Sequence, residues 1–249
     1  GGLIFSIGTT KSHIDWLNKF QSLSKTPLLV SMDAEWGPSQ RLSDVFAHPW
    51  NMTLGAIQDN SLVREISKRM AEQNKALGIH YNFSPSVDVN NNSKNPIIGN
   101  RSFGEDPVNV YKKAKAYIQG HKDAGIFTSI KHFPGHGDTD KDSHKTLPVI
   151  KGDIKRLNSV ELYPFKRLIE DGLAESVMLA HLSVPALDKK YPSSLSYKTV
   201  NNLLRDEYGF NGIAITDALD MKGVLQDPNV NVDPKAFEVG NDIILMSTN

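Results

Sequence analysis

Gly212-Ile213-Ala214-Ile215-Thr216-Asp217 is a short apolar run of strand-forming residues that stops on a carboxylate. Three other runs also end on charged or titratable residues: 28–33 on Asp33, 127–132 on Lys131-His132, and 176–181 on His181. With residues 3–8, 81–85 and 242–247 they make seven candidate strands, each apolar on both faces, as a parallel strand covered on both sides must be. Amphipathic segments at 61–77, 108–124, 159–170 and 196–208 fall between them, each followed within two residues by a helix-stopping glycine. Strands alternating with helices specify an α/β fold with a parallel sheet. An open dinucleotide-binding sheet would want Gly-x-Gly-x-x-Gly after its first strand, and none is present. A closed (β/α)8 TIM-type barrel gathers its chemistry at the carboxyl ends of its strands, which is where these polar residues stand. Seven strands against eight place the first barrel strand upstream of Gly1. The expected organisation is one barrel domain over residues 1–249, truncated at its N-terminus, with room for further domains after Asn249.

The 249 residues carry 28 Lys+Arg against 28 Asp+Glu, with 8 His and no Cys, and 39% are hydrophobic. The apolar fraction supports a core, and the balanced charge offers no basic footprint for nucleic acid. Lack of cysteine excludes disulfides, thiolate metal sites and a cysteine nucleophile. No apolar run nears the ~20 residues of a membrane-spanning helix.

The densest polar stretch is Lys131-His132-Phe133-Pro134-Gly135-His136-Gly137-Asp138-Thr139-Asp140-Lys141-Asp142-Ser143-His144. His132, His136, Asp138, Asp142 and His144 are all metal-ligand types, but no His-Glu-x-x-His or His-x-His scaffold accompanies them. A solvated surface loop is the plain alternative. A third reading is a catalytic loop with Gly135 and Gly137 as hinges, in which Asp142 orients His144 for proton transfer. Asp217 reads equally as the N-cap of a following helix or as a nucleophile at the barrel mouth. His181 reads as a pocket residue or as a satisfied core histidine.

The 131–139 stretch closing in Asp142-Ser143-His144 resembles the signature of glycoside hydrolase family 3, and more narrowly its β-N-acetylhexosaminidase branch of bacterial cell-wall recycling. Asp33-Ala34-Glu35-Trp36-Gly37 through Gln40-Arg41, Ile98-Gly99-Asn100-Arg101-Ser102-Phe103-Gly104-Glu105-Asp106-Pro107 and Thr216-Asp217-Ala218-Leu219-Asp220-Met221 agree in order. The resemblance implies a (β/α)8 barrel and a retaining exo-β-N-acetylglucosaminidase that needs no metal or organic cofactor. It makes Asp217 the nucleophile, His144 the acid/base and Asp142 its partner. Asp33, Arg41, Arg101, Lys131 and His132 would bind the sugar, the partner being an N-acetylglucosamine-containing glycan derived from peptidoglycan or similar material. A β-glucosidase or β-xylosidase of the same family, a metal-dependent barrel hydrolase and a silent sugar-binding module are the alternatives, and bacterial cytoplasm and periplasm both stay open. Where such relatives commonly read Asp-Gln-Glu-Gly-Gly-Arg, this chain reads Asp33-Ala34-Glu35-Trp36-Gly37-Pro38, which loses an arginine and adds an aromatic near the mouth.

Overall fold

Six short strands form one all-parallel sheet in chain order: β1 (Gly2–Phe5), β2 (Leu29–Met32), β3 (Tyr81–Asn82), β4 (Phe127–Phe133), β5 (Ser176–Leu179) and β6 (Ile213–Thr216). The computed structural model describes residues 1–139, 147–221, 224 and 231–246. Each crossover carries helix: α1 (Thr10–Leu23), then α2 (Asn51–Ala56) with α3 (Asn60–Ala76), then α4 (Pro107–Ala124), then α5 (Ile154–Ser159) with α6 (Tyr163–Glu170). A π-type helix, Lys198–Glu207, leads into β6, and α7 (Val232–Glu238) follows it. Parallel neighbours require such crossovers, and here the sheet order follows the chain order.

The sheet is curled. Ile4 of β1, Tyr81 and Phe83 at β3, Met178 of β5 and Ile215 of β6 belong to one apolar cluster on its inner face. Side chains from strands that are not neighbours meet only if the sheet bends round them, and the Tyr81 hydroxyl bonds Ser176 across β4. The outer face is the larger core, in which Ile130, Phe133, Val177 and Leu179 pack under Tyr117, Phe165, Leu168, Val200 and Leu204.

The seventh expected strand, 242–247, is not a strand of this sheet. Within its described part, Ile243 makes a single parallel bridge to Ile215, with Thr216 N donating to Ile243 O at 3.1 Å and Leu219 N to Leu245 O at 3.0 Å. Between this segment and β1 lies a cavity of about 1450 Å³, lined by Leu3, Phe5, Tyr81, Ile215, Ile243 and Leu245 among others. The described residues therefore form a curled, six-stranded half-barrel, one strand fewer than the seven expected of an eight-stranded barrel without its first strand.

Two expected helices match closely. Asp59 caps α3 by accepting from Ser61 N, and Asp106 caps α4 by accepting from Asn109 N, with Pro107 in the first turn where its missing N–H costs nothing. The segment expected as one helix, 159–170, is instead the end of α5 and then α6. Asp153 caps the first, Val160 leaves helical geometry, and Pro164 starts the second.

Helices α3 and α4 touch backbone to backbone at Gly120, where an added Cβ would lie 2.3 Å from Arg64 O. Alanine is favoured over glycine in a helix by about 1 kcal/mol. Overpacking of this kind costs about 1–3 kcal/mol and pushes two helices apart. Gly120→Ala should therefore lower the melting temperature by several degrees, and an unchanged or raised value would contradict this packing.

Candidate active site

Lys131, near the carboxyl end of β4, is 2% exposed and donates to Asp33 Oδ1 at 2.7 Å and to Glu35 Oε1 at 2.8 Å. An ammonium with almost no water needs such partners, because burying an isolated ion costs several kcal/mol. Each carboxylate then takes a second cation. Arg41 Nη2 donates to Asp33 Oδ2 at 2.7 Å, and Arg101 grips Glu35 with Nε at 3.0 Å and Nη2 at 2.7 Å. Arg101 Nη2 also lies 3.2 Å from His132 Nε2, while His132 Nδ1 is 2.6 Å from Asp88 Oδ2. A guanidinium can only donate, so His132 Nε2 is the acceptor and Nδ1–H donates to Asp88. Asp88 Oδ1 also accepts from His136 N at 2.6 Å.

All five expected sugar-binding residues thus fall into one network, together with Glu35 and Asp88. Burial works against ionising each of its three carboxyls. For Asp33 the charges of Lys131 and Arg41 outweigh it, and for Glu35 those of Arg101 and Lys131 do. For Asp88 the His132 ring and the His136 N–H prevail. All three are held below the usual carboxylate range. Burial alone would discharge Lys131, but Asp33 and Glu35 raise its proton affinity instead. Lys131 and His132 are successive strand residues, yet both join the network. The β4–β5 register shifts between Ile130 and Phe133, and the Lys131–His132 peptide is cis.

Asp217 follows the last residue of β6, with its N–H on Leu179 O at 2.9 Å and Oδ1 accepting from Ala218 N at 2.8 Å. No helix starts at Ala218 among the described residues, so the N-cap reading fails. Asp217 lines the same cavity as Asp33 and Arg41. His181 is saturated: Nε2 donates to Ala218 O at 2.9 Å and Nδ1 accepts from Ser194 Oγ at 2.7 Å. It braces the residue after Asp217 and is the satisfied core histidine of the two readings. Asp142 and His144 lie outside the described residues. Of the remaining metal-ligand types, no group of three or more gathers among the described residues.

Gly135 and Gly137 were expected as hinges, and the structure gives them another reason. A Cβ on Gly137 would stand 1.8 Å from Val89 O, and one on Gly135 2.8 Å from Glu161 Cβ. The loop after β3 locks this stretch from the other side, with Asn95 Nδ2 donating to His136 O at 2.8 Å and Gly137 O at 3.0 Å. Trp36 stacks on Trp50, ring centroids 4.3 Å apart and 11° from parallel.

Glu35 and Asp88 were missed as site residues. The signal for Asp88 was a carboxylate inside the apolar run Val87-Asp88-Val89, and for Glu35 its place two residues after a strand-ending Asp.

The sequence profile of the glycosyl hydrolase family 3 N-terminal domain matches residues 8–249. The chain belongs to glycosyl hydrolase family 3. This bears out the family read from the motifs. Among family members, β-hexosaminidase A of Pseudoalteromonas piscicida is 37% identical over 91% of this chain and 41% of its own length. The solved family 3 β-N-acetylglucosaminidase of Paenibacillus sp. superposes with a TM-score of 0.93 at 38% identity, over 99% of this chain and 48% of that one. NagZ of Neisseria gonorrhoeae, solved with N-trifluoroacetyl-D-glucosamine, gives 0.86 at 29% identity over 99% of this chain and 74% of its own. The chain spans 41% of the Pseudoalteromonas protein and under half of the Paenibacillus structure.

Replacing Glu35 by alanine leaves Arg101 and Lys131 short of a buried counter-charge. Breaking such a pair costs about 3–5 kcal/mol, so urea denaturation of Glu35→Ala should show that loss; a change under about 1 kcal/mol would contradict the network. Acid should weaken the fold in two stages. Burial holds the folded pKa of His121 at about 3 and that of His136 at about 4, against an ordinary 6.5. Between those values the unfolded chain binds more protons, so stability is full above pH 6.5 and falls toward pH 4. Asp33 and Glu35, held low, lose their contribution only below about pH 4, near the ordinary carboxylate value. Melting temperatures measured from pH 7 to pH 4 should decline throughout, and a flat profile would contradict these assignments.

Proposed function

We propose that the protein is a retaining exo-β-N-acetylglucosaminidase that removes terminal β-linked N-acetylglucosamine from peptidoglycan-derived or related glycans. The observation that carries the proposal is the shared cavity: the Asp217 carboxylate at the end of β6 opens onto the same space as Asp33 and Arg41. A fixed, balanced set of charges suits a neutral polyol, since it offers directed donors and acceptors without a net field. Lys131, Arg101, Arg41, Asp33 and His132 would hold the ring, and Asp217 would sit beneath its anomeric carbon.

In the first step an Asp217 oxygen bonds to C1 as the C1–O bond to the leaving group breaks, and His144 gives that oxygen its proton. In the second, water attacks C1, gives its proton to His144 and releases Asp217. Asp142 orients the imidazole. These two roles rest on the family motif alone. The fold reading extends likewise to a (β/α)8 barrel, with further strands filling the gap between β1 and residues 243–246. The stacked Trp36–Trp50 pair, at the position where the loop departs from its relatives, would act on the leaving-group side.

Turnover of a chromogenic β-N-acetylglucosaminide by the full-length protein, with the β-glucoside beside it, tests the reading. The N-acetyl substrate should be preferred, and Asp217→Ala should cut turnover at least a thousandfold, as loss of a nucleophile does. Asp142→Ala and His144→Ala should each cost about a hundredfold or more in turnover with little change in binding. Preference for the glucoside would favour the β-glucosidase alternative, and binding without turnover the silent module.

A further inference from the structure

Asp88 is fully buried in the loop after β3, and both of its carboxylate oxygens are engaged. Oδ1 accepts from two backbone groups, His136 N at 2.6 Å and His132 N at 3.2 Å. Oδ2 accepts from two side chains, Ser86 Oγ at 2.7 Å and the Nδ1–H of His132 at 2.6 Å. Its carbonyl oxygen takes the Ser102 hydroxyl at 2.6 Å, one residue beyond Arg101. One buried residue is thus fastened both to the histidine of β4 and to the segment that carries Arg101.

What the His132 ring does next depends on which nitrogen holds its proton. With the proton on Nδ1, Nε2 is an acceptor, and Arg101 Nη2 donates to it at 3.2 Å. A guanidinium carries five N–H groups. Glu35 takes one from Nε and one from Nη2, His132 takes the other on Nη2, and Ile97 O takes one from Nη1 at 3.3 Å. Among the described residues one Nη1 hydrogen is left without a partner, on a side chain that is 22% exposed and so within reach of a ligand.

We infer that Asp88 is a positioning residue of the sugar site: by keeping the His132 proton on Nδ1 it makes Nε2 the acceptor that steers Arg101, so that an Nη1 hydrogen is presented to the sugar. The inference rests on the reading of the mouth as a sugar site, and it gives a role in binding to a carboxylate that touches no substrate. It also singles out the isosteric amide as a damaging change. In Asp88→Asn the side chain can offer only one oxygen. The backbone donors His132 N and His136 N cannot reverse, so that oxygen must face them, and the amide nitrogen must face Ser86 Oγ and the ring. The serine can turn to accept. The ring can accept only by moving its proton to Nε2, where it meets the Arg101 Nη2–H, donor against donor.

Nitrogen-15 NMR and calorimetric titration of the full-length protein with N-acetylglucosamine test it. In the wild-type protein at neutral pH the His132 ring should carry its proton on Nδ1 and none on Nε2. The opposite tautomer, or a doubly protonated ring, overturns the inference without any variant having to fold. The Arg101 Nη1 resonance should move when N-acetylglucosamine is added, and a stationary signal in a sugar-bound protein overturns it as well. Asp88→Asn should shift the His132 proton to Nε2 and weaken N-acetylglucosamine about tenfold or more, as losing a charged hydrogen bond does. A merely structural Asp88 would lower the melting temperature and leave tautomer and affinity alone. An unmoved proton, or a moved proton with unchanged affinity, overturns the inference while leaving the sugar site standing. No binding by the wild-type protein overturns the sugar site and the inference together.

Discussion

The buried ammonium of Lys131, held between the carboxylates of Asp33 and Glu35, is the interaction from which the mouth of this half-barrel is built. A cation in so little water needs more than one acceptor, so the carboxyl ends of β2 and β4 must be drawn together across β3. Two carboxylates on one ammonium leave an excess of negative charge. Arg41 offsets it on one side and Arg101 on the other, and Arg101 is then placed against His132, whose orientation Asp88 sets. The result is three cations and three carboxylates gathered around one imidazole ring.

Helix α4 holds this arrangement from outside the sheet. Tyr117 donates its hydroxyl to Glu35 O at 3.0 Å and stacks on His121 at 4.6 Å. Asn82 exchanges two hydrogen bonds of 3.0 Å with the backbone of Ala34, and its Nδ2 donates to His121 Nε2 at 2.9 Å. The turn carrying Asp33 and Glu35 is thereby bolted to a helix, which keeps its charged side chains in place. The loops after β3 and β4 brace each other through Asn95 in the same way. Side chains fixed before a sugar arrives need not be ordered on binding, which is the main advantage a rigid site offers.

Much of this was legible in the chain. Runs ending in Asp33, Lys131-His132 and Asp217 were apolar because both faces of a parallel sheet are covered, and their polar ends converge because parallel strands share a direction. Residues 242–247 have the same apolar character, but composition cannot report whether a run finds a hydrogen-bonding neighbour on each side. Helix α1 was not singled out, since its large apolar residues Trp16 and Leu23 are exposed and give no inward stripe to read. Glu35 and Asp88 escaped because a buried carboxylate is defined by its partners, Arg101 and His132, which lie far along the chain. No spacing rule joins them. Gly135 and Gly137 read as hinges because sequence shows their freedom and not the backbone pressed against them.

The chemistry assigned to the mouth turns on one bond, between Asp217 and the anomeric carbon. Incubating the full-length protein with a 5-fluoro-N-acetylglucosaminyl fluoride, whose glycosyl-enzyme is slow to hydrolyse, and mapping the modified peptide by mass spectrometry examines that bond itself. A single adduct on Asp217 is the predicted result. Modification of another carboxylate, or an unmodified protein that still turns over N-acetylglucosaminides, would contradict it.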